Sequence, residues 1–455
     1  MYDTLLECLG AARYDRRPRL IAPDCVYGAW DLLENAFLDA EALRGCSVLV
    51  RTRTQTATAL ALVDLDGVAR RLILCPPELT RRQILDAAAI GEVDAVVTDE
   101  SSGSSQIPQT SVYAVSERPA MARAAPLPPI NTEWVLMTSG TTGTPKLVVH
   151  SLSSLSSAIG RNANEADERL WGTFYDIRRY GGLQILLRAL AGEALVLPGP
   201  DETQAQFLQR AGALGITHIS GTPSHWRCAL VCKAERLIGP RYIRLSGEIV
   251  DQSLLDKLKT FFPSAMLVHA FASTEAGVAF EVTDGQEGFP EEFLRDSHAE
   301  ADIRVENGTL CVRSNGAAAR ILGGERAIRR PNGFVDTGDA VEQRDHRFYF
   351  VGRKDRTINV GGNKVHPEEV EAVIAKHPDV EMARASMRRN PILGAVVEAE
   401  IVLRAVSKAD TEGDAKQDIL DFCKARLDRH KVPAFIRIVT ALPLTAGGKM
   451  DRNHV

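Results

Sequence analysis

The sequence predicts an α/β protein with a large N-terminal domain of α/β layers, a small β-rich subdomain and a smaller α+β C-terminal domain. Three observations carry this. Short β-rich runs alternate with helical ones from Glu41 to Val97 and again from Gly192 to Glu275. At Ala301 the pattern changes to short hairpin-like strands, and the roughly 100 residues after Arg353 resume a βα periodicity of their own.

In the first series, CSVLVRT from Cys46 reads as a strand and QTATALALVDLDG from Gln55 as a helix. RLILC from Arg71 and DAVVTD from Asp94 read as strands of a mainly parallel sheet. Ser101–Pro129 is rich in Ser, Pro and Ala and reads as an exposed connection. In the second series GEALVLPG, THISGTP, YIRLSGE and AMLVHAFASTE each end an apolar run in turn residues. ETQAQFLQRAGALG and DQSLLDKLKTFFP supply helices between them. Strand ends that finish in polar loops are where open α/β sheets hold ligands. Beyond Ala301, Glu306-Asn307-Gly308 and Arg344-Asp345-His346 are predicted hairpin turns.

The chain has 455 residues, long enough for two or three domains, with 45% apolar and 25% charged residues. A formal net charge of −5 makes no electrostatic case for nucleic acid or an anionic membrane surface. Arg329–Arg330 and Arg388–Arg389 are too short to be more than solvated faces. Eight scattered cysteines without a C-x-x-C pair fit a reducing cytoplasm. His225, Cys228 and Cys232 share a helical face without an evident fourth ligand, and read as a core helix with buried thiols. The start lacks the basic and apolar regions of an ordinary signal peptide, and no apolar run reaches a membrane span.

The stretch MTSGTTGTPKLVVH, Met137–His150, concentrates glycine and hydroxyl residues. It is not a Walker A loop: Pro145 precedes Lys146, Leu147 follows it, and KLVVH is strand-like rather than helical. Gly140 and Gly143 allow backbone N–H groups to converge, and Thr138, Ser139, Thr141 and Thr142 add hydroxyl donors, which together make an anion nest. Lys146 could face phosphate or the surface.

This stretch resembles the phosphate loop of the ANL superfamily of adenylate-forming enzymes, which spans acyl-CoA synthetases, peptide-synthetase adenylation domains and luciferases. Further signatures follow in the superfamily's order. HAFASTEAG (His269–Gly277) resembles the adenine and metal motif, with Phe271 in the aromatic place, Ala272 for the common Gly, and Thr274-Glu275 intact. LSGE (Leu245–Glu248) resembles the adenine-contacting turn, one Gly shorter than usual. DTGD (Asp336–Asp339) matches the ribose signature, GRKDRTINVGGNKVHPEEVE (Gly352–Glu371) the hinge segment, and PLTAGGKMDR (Pro443–Arg452) the motif carrying the adenylation lysine, here Lys449. The resemblance covers most of the chain after about the first hundred residues.

The resemblance implies an ATP- and Mg²⁺-dependent ligase that joins a carboxylic acid to the thiol of CoA or of a phosphopantetheinyl carrier protein through an acyl adenylate. It divides the chain into an adenylating domain, 1–354, and a mobile lid domain, 355–455, hinged at Asp355. Lys449, Glu275 and Thr141 are the implied catalytic residues, with Glu275 holding the metal. Thr138, Ser139, Gly140, Thr141, Thr142, Gly143, Ser246, Gly247, Glu248, His269, Ala270, Phe271, Thr274, Asp339, Arg353 and Lys449 are implied to bind ATP. Tyr175, Asp176, Gly247, Phe271 and Ala272 would line the acid pocket, and Gly361, Gly362 and Lys364 the thiol tunnel.

Two departures bear on the substrate. Tyr175-Asp176 stands where many relatives have an aromatic-His pair, and Ala272 replaces Gly beside Phe271. Asp176 could grip an α-amino group or pair with Arg178 or Arg179. The alternatives are therefore a stand-alone amino-acid-activating enzyme and a non-catalytic nucleotide-binding relative.

Overall fold

Two large sheets enclose a layer of helices, and this layer holds most of the core. The computed structural model describes residues 3–11, 13–100, 107–124, 128–138, 144–159, 169–295, 301–324, 327–390, 394–404, 411–443 and 450. The first sheet has the strand order Arg320–Leu322, Lys146–His150, Glu133–Thr138, Arg71–Leu74, Ser47–Val50, Ala95–Thr98, Ser111–Ala114. It is parallel from Glu133–Thr138 onward, whereas Lys146–His150 returns antiparallel with Lys146 opposite Thr138. The second has the order Gly277–Val282, Met266–Ser273, Tyr242–Ser246, His218–Gly221, Leu170–Thr173, Ala194–Val196, Pro18–Ile21, Val26–Gly28.

The helices Gln55–Leu65 and Tyr180–Leu190 lie between the sheets, packed with Val48, Leu72 and Trp134 of one and Trp171 and Leu195 of the other. Every residue from Thr56 to Leu65 is buried, which is why that segment lacks a polar stripe. Thr54 starts it by accepting the N–H of Ala57 at 3.0 Å. Arg81–Ile90 covers the outside of the first sheet through Ile84 and Ala87. Gln204–Ala213, Pro223–Val231 and Gln252–Phe261 cover the outside of the second through Phe207, Trp226 and Leu255.

The β-rich subdomain is a five-stranded antiparallel sheet containing Ala301–Glu306, Thr309–Ser314, Val335–Arg344 and Arg347–Arg353. Its first hairpin turns at Asn307 and Gly308, with φ of 52° and 74°, the paired left-handed residues of a type I′ turn. From Ile358 onward the chain has a core of its own. The strands Val380–Asn390, Gly394–Leu403 and Phe435–Ile438 pack with the helices Pro367–Ile374 and Glu412–Lys424 around Val370, Ile374, Val397, Ile401 and Ile419.

Three expectations change. Within Ser101–Pro129, Ser111–Ala114 is an edge strand parallel to Ala95–Thr98, because its backbone finds ladder partners that its mixed composition does not announce. Pro18–Ile21 and Val26–Gly28 extend the second sheet, a role no local pattern marked. Cys228 is half-buried and Cys232 is exposed, since the helix turns Trp226 and Ala229 inward instead. No helix among the described residues is long and apolar enough to cross a membrane.

Candidate active site

Side chains tie the strands that carry the expected site residues to distant segments. His150 Nε2 bonds the carbonyl of Thr274 at 2.8 Å, and its Nδ1 meets Ser154 Oγ at 3.1 Å. Burial holds this imidazole neutral, with its pKa down at about 4. Arg179 Nη1 donates to the carbonyl of Met137 at 3.2 Å while the guanidinium pairs with Glu78, so a charged pair braces the strand leading into the glycine-rich loop. Thr138 Oγ1 is buried and has no hydrogen-bond partner among the described residues. Ser139, Gly140, Thr141, Thr142 and Gly143 lie outside the described residues, as does Lys449.

On the second sheet, Tyr175 is buried and its hydroxyl donates to the carbonyl of Ser246 at 2.7 Å, with Ser246 Oγ at 2.9 Å. Burial pushes that phenol well above its ordinary range, so it stays protonated. The backbone then turns left-handed at Gly247, φ 85°. Glu248 follows: its Oε2 accepts the Ser224 N–H at 2.9 Å, and its Oε1 accepts Ser224 Oγ at 3.0 Å. A carboxylate on the first turn of the Pro223–Val231 helix satisfies a free N–H and suits the positive helix end. Glu248 Oε1 also accepts the backbone N–H of Met450 at 3.0 Å.

Phe271 stands in an aromatic column, near-parallel to Phe350 (5.2 Å between centroids, 5°) and Phe280 (5.8 Å, 19°). It is partly exposed, and Ala272 beside it packs toward the core between the sheets. Glu275 makes no ion pair among the described residues, and its carboxylate is near enough to help hold Arg353 charged. An oxygen donor not already neutralised by a cation is the chemistry a hard divalent ion selects, so Glu275 fits the metal role.

Arg353 joins two expected site residues. Its Nη1 lies 3.5 Å from Asp339 Oδ1 and its Nε donates to Asp355 Oδ1 at 3.1 Å. Arg353 and Arg356 beside Asp355 lower its carboxyl pKa. Gly338 adopts φ 73° and brings Arg353 Nη2 to 3.3 Å from where a Cβ would stand. Beyond Asp355 a two-residue turn, Gly361 and Gly362 at φ 57° and 89°, joins the strands Ile358–Val360 and Asn363–Val365. Gly361, Gly362 and Lys364 are exposed.

Three residues singled out in the sequence have described surroundings of their own. His269 is buried with Nε2 on the carbonyl of Gln286 at 2.8 Å. The Asp176 carboxylate forks onto Arg178 (2.8 and 2.6 Å), whose Nη1 donates to the Thr52 carbonyl, so of the two readings it takes the ion pair. It lines a cavity of about 310 Å³ with Arg51, Gln55 and Pro198, apart from the Tyr175–Ser246 contact. Lys146 is exposed at its strand's start. Sequence reasoning missed His150, Ser224 and the Arg179–Glu78 pair, whose roles depend on contacts with distant segments.

Residues 44–318 match the AMP-binding enzyme family and residues 369–449 its C-terminal domain. The chain is 27% identical over 354 residues to a probable CoA ligase of Humulus lupulus, an alignment covering 72% of this chain and 66% of that protein. It is 26% identical over 352 residues to a dimodular nonribosomal peptide synthase of Bacillus subtilis, covering 70% of this chain and 14% of the synthase. The chain thus spans just under two thirds of the first relative and a small part of the second. In fold it resembles the o-succinylbenzoate CoA synthetase of Bacillus subtilis solved with ATP and magnesium ion. That match has a TM-score of 0.77 and 21% identity, and covers 98% of each chain.

Proposed function

The chain belongs to the family of AMP-binding enzymes, and on that premise we propose that it activates a carboxylic acid with ATP and passes the acyl group to a thiol. The thiol is that of CoA or of a carrier-protein phosphopantetheine, and the acid is an aryl or medium-length acyl acid. The observation that supports this reading is the backbone N–H of Met450, the residue after Lys449, on Glu248 in the turn that follows Ser246.

In the first step a carboxylate oxygen of the acid attacks the α-phosphorus of ATP and pyrophosphate leaves. Two anions must meet, so the site must supply fixed donors and positive charge. The loop 138–143 would hold the β- and γ-phosphates, with Thr138 at its entrance and Thr141 within it. Asp339 would accept the ribose hydroxyls, oriented by Arg353. The turn Ser246–Glu248, Ala270, Thr274 and the Phe271 ring would bound the adenine, and Gly247, Ala272 and Tyr175 the acid. Glu275 would hold Mg²⁺, which supplies charge neutralisation to phosphate oxygens. Lys449 would bridge the acid carboxylate and the α-phosphate.

In the second step the thiol attacks the adenylate carbonyl and AMP leaves. The small domain would rotate about Asp355, withdraw Lys449 and bring Gly361, Gly362 and Lys364 to the large domain. The exposed hairpin and the Met450 contact support assigning the present arrangement to the first step. Asp176, neutralised by Arg178, lends no support to recognition of an α-amino group. Pyrophosphate release across aryl, acyl and amino acids, followed by addition of CoA or a holo carrier protein, tests the reading. Response to amino acids alone would replace it with the amino-acid-activating alternative, and ATP binding without turnover would leave a non-catalytic relative.

A further inference from the structure

The helix Tyr180–Leu190 packs on the face of the second sheet that carries Trp171, Tyr242 and Ala272, whereas Ile243, Leu245 and Leu267 point to the opposite face. Tyr242, Arg244 and Ser246 alternate onto the first of these faces and pair across to Met266, Val268 and Ala270. Arg188 of the helix reaches into this layer. Its Nη2 donates to the carbonyl of Ala158 at 3.2 Å, and its Nε is buried with no hydrogen-bond partner.

No carboxylate among the described residues pairs with Arg188. The two that lie near it are engaged: Glu281 with Arg244 at 2.9 Å, and Glu193 with Arg169 at 3.1 Å and Trp171 Nε1 at 2.6 Å. Among the described residues, Arg188, Arg244 and Arg169 thus face two carboxylates, one fewer than their positive charges. Burial and the neighbouring Arg244 act together to lower the Arg188 pKa. Arg244 is also close enough to Tyr175 to act on its hydroxyl, so this charged cluster adjoins the Tyr175–Ser246 contact.

We propose that Arg188 is a specificity residue that receives a second carboxylate of the acid substrate, at the end away from the carboxyl that is activated. This rests on the reading of the site as an acid-activating one. A guanidinium withdrawn from water without a counter-ion is destabilising, and a carboxylate on its free N–H edge offsets this with a charge-assisted bond. Arg244 and Tyr242 precede Ser246 by two and four residues, about 7 and 13 Å along a strand, so the two carboxylates of the substrate stand on the order of 10 Å apart.

The test measures ATP-dependent pyrophosphate release by the full chain on matched pairs: nonanoate against nonanedioate, and 4-propylbenzoate against 4-(2-carboxyethyl)benzoate. The expected KM for the dianion is lower by about 10- to 100-fold within a responding pair. Arg188→Met should erase that preference by raising the dianion's KM while leaving kcat and the monoanion's KM in place, and Arg188→Lys should keep part of it. Equal or better use of the monoanion by the wild type overturns the proposal without any variant, so a misfolded Arg188→Met does not shield it. An unchanged ratio in Arg188→Met overturns it as well. Turnover of monoanions with no dianion preference leaves the acid-activating reading standing, whereas no release with any acid overturns both.

Discussion

The backbone N–H of Met450 donates to Oε1 of Glu248 at 3.0 Å, a contact between positions 202 residues apart. The same carboxylate caps the Pro223–Val231 helix through Ser224. Glu248 is therefore held by Ser224 at the same time as it accepts the Met450 N–H.

Glu248→Ala should slow adenylation by about 10-fold, the effect of losing one hydrogen bond to a charged group. Thioester formation from a supplied acyl adenylate should change by less than twofold. Equal losses in the two half-reactions, assayed separately, would show that the contact does not belong to the adenylating arrangement.

Lys449→Ala should lower the adenylation rate by about 10²–10³-fold, as for removal of a donor to developing charge, while sparing thioester formation. Single-turnover measurements of each half-reaction check the division.

The hairpin turn should matter only after adenylation. Gly362 has φ 89° and lies in open space, so Gly362→Val strains the turn and adds bulk at its tip without touching the large domain in this arrangement. The acyl adenylate should form at the wild-type rate and accumulate, with thiol transfer slowed by about 10-fold or more on the scale of a misplaced reacting group. Normal transfer would remove the hairpin from the thiol path.

His150 should make the fold acid-sensitive. Its pKa in the folded chain, about 4, lies below the ordinary value near 6.5, so the unfolded chain binds the proton more readily. Stability is then full above about pH 6.5 and falls as pH drops from there toward 4, by about 1.4 kcal/mol per unit at most. Urea unfolding at pH 7 and pH 5 should show wild type losing about 2 kcal/mol more than His150→Gln across this interval. Parallel losses would place the acid sensitivity elsewhere.

Much of this protein was legible because its chemistry is written in contiguous runs. The strand ends at Thr138, Ser246 and Ser273, the turn glycines 247, 338, 361 and 362, and the strand-and-helix periods all follow from local backbone and burial requirements. Contacts with distant segments decided the rest. Whether Asp176 meets an amino group or Arg178, whether the His269 ring meets the Gln286 carbonyl, and that Arg188 Nε has no partner among the described residues depend on which groups a fold brings within about 3 Å. Ser111–Ala114 is a strand only because Ala95–Thr98 offers it a ladder. A motif determines which groups are available, whereas packing determines which of them remain unneutralised for a substrate.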